Sequence, residues 1–231
     1  MSGACVLIPA LECGRSVGSI VAGVRATVPG IPVVVVDDGS HDDTGAQAAG
    51  AGALVLRHPR RAGKGAALAT GFAWALARGH DAVATMDGDG QHAPAELPTL
   101  LAAHRREPDA LVIGTRPIAP HGSPMPALNQ LGNRLSTYWI GVFAGQPVPD
   151  SQSGFRLYPR AVLVEPPRTT GFEVETELLL RAARLGLPIR SVTISTIYQP
   201  PATRTSHFRP VSDTLRIIAL ILRQTRWSAP R

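Results

Sequence analysis

Short continuous apolar runs alternate along the chain with segments in which apolar residues recur every three or four positions. The runs are Ala4–Ile8, Ile31–Val36, Ala53–Leu56, Ala82–Met86 and Ala110–Ile113; Val17, Ile20, Val21 and Val24 show the intervening period. A run without polar alternation predicts a strand buried on both faces, and the helical period between runs predicts crossover helices. The pattern is that of βαβ units, an α/β fold with a mostly parallel central sheet covered by helices on both faces. A further helix is predicted over Ala66–Ala77, opened by Gly63-Lys64-Gly65 and closed near Gly79.

Beyond the fifth run the pattern loosens. Arg116 to Pro126 is rich in Pro, Gly and His, a loop longer than ordinary connections and so a functional candidate. A helix is expected over about Ala127–Phe143, then a second Pro/Gly-rich segment to Gly154. A helix over Glu173–Leu185, one or two strands over Ile189–Ile197 and a last helix over Val211–Arg223 follow. No repeat or low-complexity linker divides the 231 residues, which suffice for one core. The reading is a single domain over 1–231, in which about 1–115 carries the regular alternation, about 116–210 the looser pattern, and 211–231 a basic amphipathic helix.

Composition narrows the class. With 44% hydrophobic and 17% charged residues, extended disorder and a coiled coil are both poor fits. Two cysteines, Cys5 and Cys13, cannot build a disulfide framework or a four-cysteine zinc site. The longest apolar stretch near the end, Ile217 to Leu222, is bracketed by Arg216 and Arg223, far short of the ~20 residues of a membrane span. The expectation is a soluble, cytoplasmic protein. Of the net charge of +6, residues 199–231 carry +5, from six arginines against Asp213. A basic tail suits nucleic acid, an anionic membrane or a phosphate-bearing substrate. Only Phe208 and Trp227 are aromatic there and no nucleic-acid motif appears, so nucleic acid ranks low. Val211, Leu215, Ile218 and Leu222 form one stripe of the last helix, suited to core packing or to an interface with anionic lipid.

Two acidic clusters follow strands directly. Val33–Val36 runs into Asp37-Asp38-Gly39-Ser40, and the strand at Ala82 runs into Asp87-Gly88-Asp89-Gly90-Gln91-His92. Carboxylates at the carboxyl ends of parallel strands sit where such sheets bind ligands, although Asp-Gly-Ser is also good helix-entry chemistry. Alternate Asp residues in a glycine-loosened turn can converge on a hard cation, with phosphate oxygens completing its shell. Pro94 and the preceding strand exclude an EF-hand.

In this order and spacing the motifs resemble glycosyltransferase family 2, with the GT-A fold, and most closely its polyprenyl-phosphate (dolichol-phosphate mannose synthase-like) branch. Ile8-Pro9-Ala10-Leu11-Glu12, Val36 to Ser40, Gly63-Lys64-Gly65, Asp87 to His92, Gly114-Thr115-Arg116, Asp150-Ser151-Gln152-Ser153-Gly154-Phe155-Arg156 and Gly171-Phe172-Glu173-Val174-Glu175 carry the resemblance over almost the whole chain. It implies a nucleotide pocket of Pro9, Ala10, Glu12, Asp37, Asp38, Lys64, Asp87 and Gly88. Asp87, Asp89 and Gln91 would hold Mg2+ or Mn2+ against the diphosphate of a GDP- or UDP-sugar. The implied reaction is an inverting displacement at the anomeric carbon, with Asp89, Asp150 and Arg116 as the catalytic set.

Proton accounting frames the acceptor. A lipid phosphate, with a second pKa of about 6, is largely dianionic at neutral pH and needs cations rather than a base. Arg116, Arg134 and Arg156 lie where the family places acceptor-phosphate contacts, and Arg204, His207 and Arg209 lie in a segment resembling its mobile donor loop. A polyprenyl acceptor would bring the enzyme to the cytoplasmic face of a membrane, through the last helix or a membrane-protein partner. A hydroxyl acceptor would instead require Asp150 as general base. A nucleotidyltransferase and a basic, non-catalytic membrane-binding module are the remaining alternatives. Lys64, the only lysine, opens a helix whose amides could face an anion; Glu173 and Glu177, one turn apart, suit either an acceptor cleft or a solvated helix start.

Overall fold

The computed structural model of the chain describes residues 3–115, 137–138, 140–148, 150–151, 153–195, 216–218 and 220. Among the described residues seven strands form one sheet: β1 (Ala4–Ala10), β2 (Val33–Asp37), β3 (Leu54–Arg57), β4 (Ala82–Thr85), β5 (Leu111–Thr115), β6 (Arg156–Pro159) and β7 (Ile189–Thr193), in the spatial order β3-β2-β1-β4-β6-β5-β7. Helices with both ends among the described residues are α1 (Val17–Thr27), α2 (Thr44–Gly50), α3 (Lys64–Ala77), α4 (Leu97–Arg106), α5 (Arg160–Leu163) and α6 (Val174–Arg184), with a 3-10 turn at Pro94–Glu96; residues 137–138 and 140–144 are also helical. All pairings are parallel except those of β6, which runs antiparallel between β4 and β5.

Strand residues alternate between two cores. Leu7, Val34 and Val36 pack with Phe72 of α3 and Leu178 of α6, while Val6, Ile8, Val33 and Val35 pack with Ile20 of α1 and Leu100 of α4. This is the period of two of a pleated strand feeding two layers of helices. Because β1, β2 and β4 have both faces covered, their sequences lack polar alternation. Helix α3 lies so close to β1 that a Cβ at Gly71 would stand 2.2 Å from Leu7 Cδ1.

The first five apolar runs, Ala66–Ala77 and Glu173–Leu185 correspond to strands and helices with ends shifted by one to two residues. The antiparallel β6 was not anticipated, because Arg156, Tyr158 and Pro159 interrupt its apolar pattern. All four of its residues are nonetheless buried. Of the predicted last helix, residues 216–218 and 220 are described and helical. Ile217 is buried whereas Ile218, expected on the packing stripe, is 46% exposed. Among the described residues no helix is long and apolar enough to cross a membrane.

Candidate active site

The carboxyl ends of β1, β2 and β4 share one edge of the sheet, and the turns leaving them are laced together. Asp38 N donates to Ala10 O at 2.8 Å, Glu12 N to Ser40 Oγ at 3.0 Å and Cys13 N to Thr44 Oγ1 at 2.7 Å. Glu12 is the one non-glycine residue at positive φ (52°) among the described residues. Its Oε1 accepts from the His41 amide at 2.9 Å, a bond that lowers the pKa of this exposed carboxyl. Ser16 Oγ, just ahead of α1, donates to Gly88 O at 2.6 Å and so fixes the turn after β4 against the β1 turn. A Cβ at Gly88 would lie 3.2 Å from Cys13 Sγ and 3.3 Å from Pro9 O, which places this turn directly on Pro9 and Ala10.

The two aspartates at the end of β2 are buried and engaged by the protein's own groups. Asp37 is fully buried: Oδ1 accepts from Ser40 N at 2.9 Å, and Oδ2 lies 3.5 Å from Arg57 Nε. Asp38 is 3% exposed and accepts from Ala62 N, Gly63 N and His58 Nδ1 at 2.8, 2.7 and 2.7 Å. A carboxylate ringed by donors holds the 58–63 turn, and that turn delivers Lys64. The notion that the α3 amides face an anion is corrected. Gly65 N donates to Thr170 O at 2.8 Å, and a Cβ at Gly65 would stand 2.2 Å from Thr169 O. The start of α3 is therefore covered by the 169–170 backbone.

Lys64 acts through its side chain instead. Nζ lies 2.7 Å from both Asp87 Oδ1 and Glu175 Oε1, and 5.4 Å from the centroid of the Phe172 ring. Burial alone would lower the pKa of the ammonium, but the two carboxylates overcome it and hold Lys64 charged well above its usual range. For Asp87, burial pushes the carboxyl up; Lys64 first, with His92 and Arg156, outweighs it and keeps the group ionised below its ordinary value. Asp87 Oδ2 faces Gly154, where a Cβ would stand 2.2 Å away, so glycine is required at 154.

Asp89 is half-buried, and its Oδ1 caps the turn by accepting from Gln91 N at 3.0 Å. Among the described residues no group of three or more His, Cys, Asp or Glu side chains is gathered for a metal. The donor set at this turn is oxygen from carboxylates, which suits a hard ion that takes its other ligands from a diphosphate.

Arg156 was expected to grip an acceptor phosphate, and the structure corrects this. It is fully buried at the start of β6, and Nε, Nη1 and Nη2 donate to the carbonyls of Ser153, Glu175 and Ser151 at 2.6, 2.8 and 2.6 Å. It is a strut that ties Ser151 and Ser153 to α6 beside Asp87. Asp150 is 7% exposed, within the electrostatic reach of Arg156. Arg116, Arg134, Arg204, His207 and Arg209 lie outside the described residues. Glu177 is not solvated: it accepts from Arg168 N, Thr169 N, Thr169 Oγ1 and Arg181 Nη2 at 2.8–3.1 Å and locks the 165–170 loop onto α6. The residue missed in the sequence is Glu175, which stands in the Gly171–Glu175 motif but 111 positions from Lys64.

A mostly parallel sheet whose strand ends present an Asp-x-Asp turn, braced by a buried lysine, defines a nucleotide-sugar transferase architecture. The family model described as "Glycosyl transferase family 2" matches residues 5–165, and the chain belongs to that family. Among curated relatives, the undecaprenyl-phosphate mannosyltransferase of Micrococcus luteus is 34% identical over 82% of this chain and 81% of its own. The polyprenol monophosphomannose synthase of Mycolicibacterium smegmatis is 34% identical over 82% of this chain and 76% of its own. Among solved structures, glucosyl-3-phosphoglycerate synthase from Mycobacterium tuberculosis, in complex with Mn2+, UDP and glucosyl-3-phosphoglycerate, superposes with a TM-score of 0.75. It is 25% identical and covers 100% of this chain and 81% of that one.

Proposed function

We propose that this glycosyltransferase moves a sugar from a GDP- or UDP-sugar to a polyprenyl phosphate, by inverting displacement at the anomeric carbon. The observation that carries the reading is the 34% identity, over four fifths of the chain, to two enzymes named for polyprenyl-phosphate acceptors. A phosphate nucleophile is already ionised at neutral pH, and this agrees with an Asp150 that is only 7% exposed. A hydroxyl acceptor would need a base within reach of its proton.

In this reading the β1 turn and the Gly88 backbone carry the nucleotide, and Asp89 with the donor diphosphate holds Mg2+ or Mn2+. The bound ion supplies charge neutralisation to the departing nucleoside diphosphate. Asp89 orients that ligand set, and Lys64 offsets the Asp87 charge, so that a diphosphate meets a turn whose first carboxylate is already paired. Arg116, Arg134, Arg204, His207 and Arg209 remain the proposed phosphate contacts. The 211–231 segment is proposed to bring the domain to the membrane surface where the acceptor resides.

Thermal unfolding with GDP, UDP, dTDP and CDP, each with and without Mn2+, tests the donor half. One nucleotide at 100-fold saturation adds about 2.7 kcal/mol, roughly 5–10 °C, in a metal-dependent manner that Asp89→Ala abolishes. Asp150→Asn then separates the acceptors: transfer to a polyprenyl phosphate survives it, whereas transfer that collapses points to a hydroxyl acceptor.

A further inference from the structure

We propose that Glu175 is a positioning residue of the donor site, acting through Lys64 on Asp87. The inference rests on the assignment of the Asp87–Asp89 turn to the donor diphosphate. Glu175 occupies the first turn of α6, is 8% exposed, and puts Oε1 2.7 Å from Lys64 Nζ. The same ammonium stands 2.7 Å from Asp87 Oδ1. A lysine is a point charge on a flexible four-carbon stem, so one carboxylate alone leaves it free to swing. Two carboxylates, each 2.7 Å from Nζ, fix both the ammonium and the Asp87 oxygen it holds.

Glu175 is itself immobilised. Its carbonyl accepts from Arg156 Nη1 at 2.8 Å and its Oε2 lies 3.9 Å from Arg156 Nη2, while Ser151 and Ser153 carbonyls hold the rest of that guanidinium. The result is an alternating row, Arg156, Glu175, Lys64, Asp87, joining β6, α6, α3 and the turn after β4. The row is neutral as a whole. Lys64 is thereby kept as the counter-ion of Asp87 instead of being drawn to an incoming diphosphate, and Asp87 keeps the orientation that the neighbouring Asp89 turn needs. Glu175 touches neither substrate nor metal in this scheme.

Loss of its charge lets Lys64 move to the diphosphate directly. Nucleotide affinity without metal then holds or rises, while the gain in affinity brought by the metal falls. The experiment is calorimetric titration of UDP and of GDP, each with and without Mn2+, into the wild type, Glu175→Gln, Lys64→Met and the double variant. Glu175→Gln is expected to cut the Mn2+ enhancement of nucleotide affinity about tenfold, with no loss of metal-free affinity. The double variant is expected to match Lys64→Met, because a residue that acts only through Lys64 adds nothing once Lys64 is gone. Glu175→Asp, which keeps the charge but withdraws it from Lys64, serves if the Gln variant does not fold and is expected to show the same loss. A wild-type Mn2+ enhancement in Glu175→Gln or Glu175→Asp, or additive effects in the double variant, overturns the proposal while leaving the donor site intact. A wild type that binds neither nucleotide more tightly with Mn2+ overturns the donor-site reading and this proposal with it.

Discussion

Replacing Lys64 by Met keeps an unbranched four-atom stem and removes the ammonium. In the wild type the ammonium stands between Asp87 and Glu175 at 2.7 Å from each, with only 12% of the lysine side chain exposed. Breaking a buried pair by removing one partner leaves uncompensated charge and costs about 3–5 kcal/mol; the nearby Arg156 places this site at the lower end, about 3 kcal/mol at pH 7. The pH dependence identifies the cause. Asp87 in the wild type has a lowered pKa, so its contribution is present above the unfolded value of about 4 and is lost as pH falls through the folded value. Lys64 has a raised pKa, so its contribution is present below about 10.4 and is lost only as pH rises beyond it. Wild-type stability from this cluster is therefore level across neutral pH. In Lys64→Met two carboxylates share the site without their cation and retain a proton between them above the ordinary range. A raised folded pKa gives stability that is present below about pH 4 and is lost as pH rises, at up to about 1.4 kcal/mol per pH unit while that proton leaves. Urea denaturation between pH 4.5 and 8 should show the variant losing ground to the wild type as pH rises. Stability curves that run parallel over this range would refute the assignment of Lys64 as the counter-ion of both carboxylates.

Gly71→Ala places a methyl group 2.2 Å from Leu7 Cδ1 and should destabilise by about 1–3 kcal/mol, seen as a Tm lower by roughly 5 °C in calorimetry. Glu177→Gln removes the charge that gathers three donors of the 168–169 segment and Arg181; about 2 kcal/mol is lost, and limited proteolysis should cut the 165–170 loop faster. Arg156→Lys cannot satisfy three carbonyls held by a planar fork, so it should cost about 3 kcal/mol by chemical denaturation despite preserving the charge.

The parts of this fold legible in the sequence are those governed by local pattern. Val33–Val36 reads as a doubly covered strand because nothing polar interrupts it, and Asp87 to Asp89 reads as a ligand turn because it directly follows another such strand. What stayed hidden depends on partners distant in the chain. Arg156 reads as a phosphate-binding residue or a structural partner of Asp150 until Ser151, Ser153 and Glu175 offer three carbonyls to its guanidinium. The partners of Asp38 are equally hidden, since the Ala62 and Gly63 amides that bond to it lie 24 and 25 positions away. The pairing of Lys64 with Glu175 follows from no spacing rule, since the two residues stand 111 positions apart, on α3 and α6. The antiparallel β6 shares this origin: Arg156 is tolerated in the sheet because its donors are satisfied by the adjoining loop and by α6.

The most direct measurement is transfer itself. Purified protein is incubated with Mn2+, radiolabelled GDP-mannose or UDP-glucose, and a polyprenyl monophosphate in detergent or vesicles, and the lipid phase is analysed for a phosphodiester-linked sugar and its anomeric configuration. The predicted result is a polyprenyl-phosphate sugar of inverted configuration, formed from one donor and lost in Asp89→Ala. Retained configuration, or label appearing only on hydroxyl acceptors, would contradict the account.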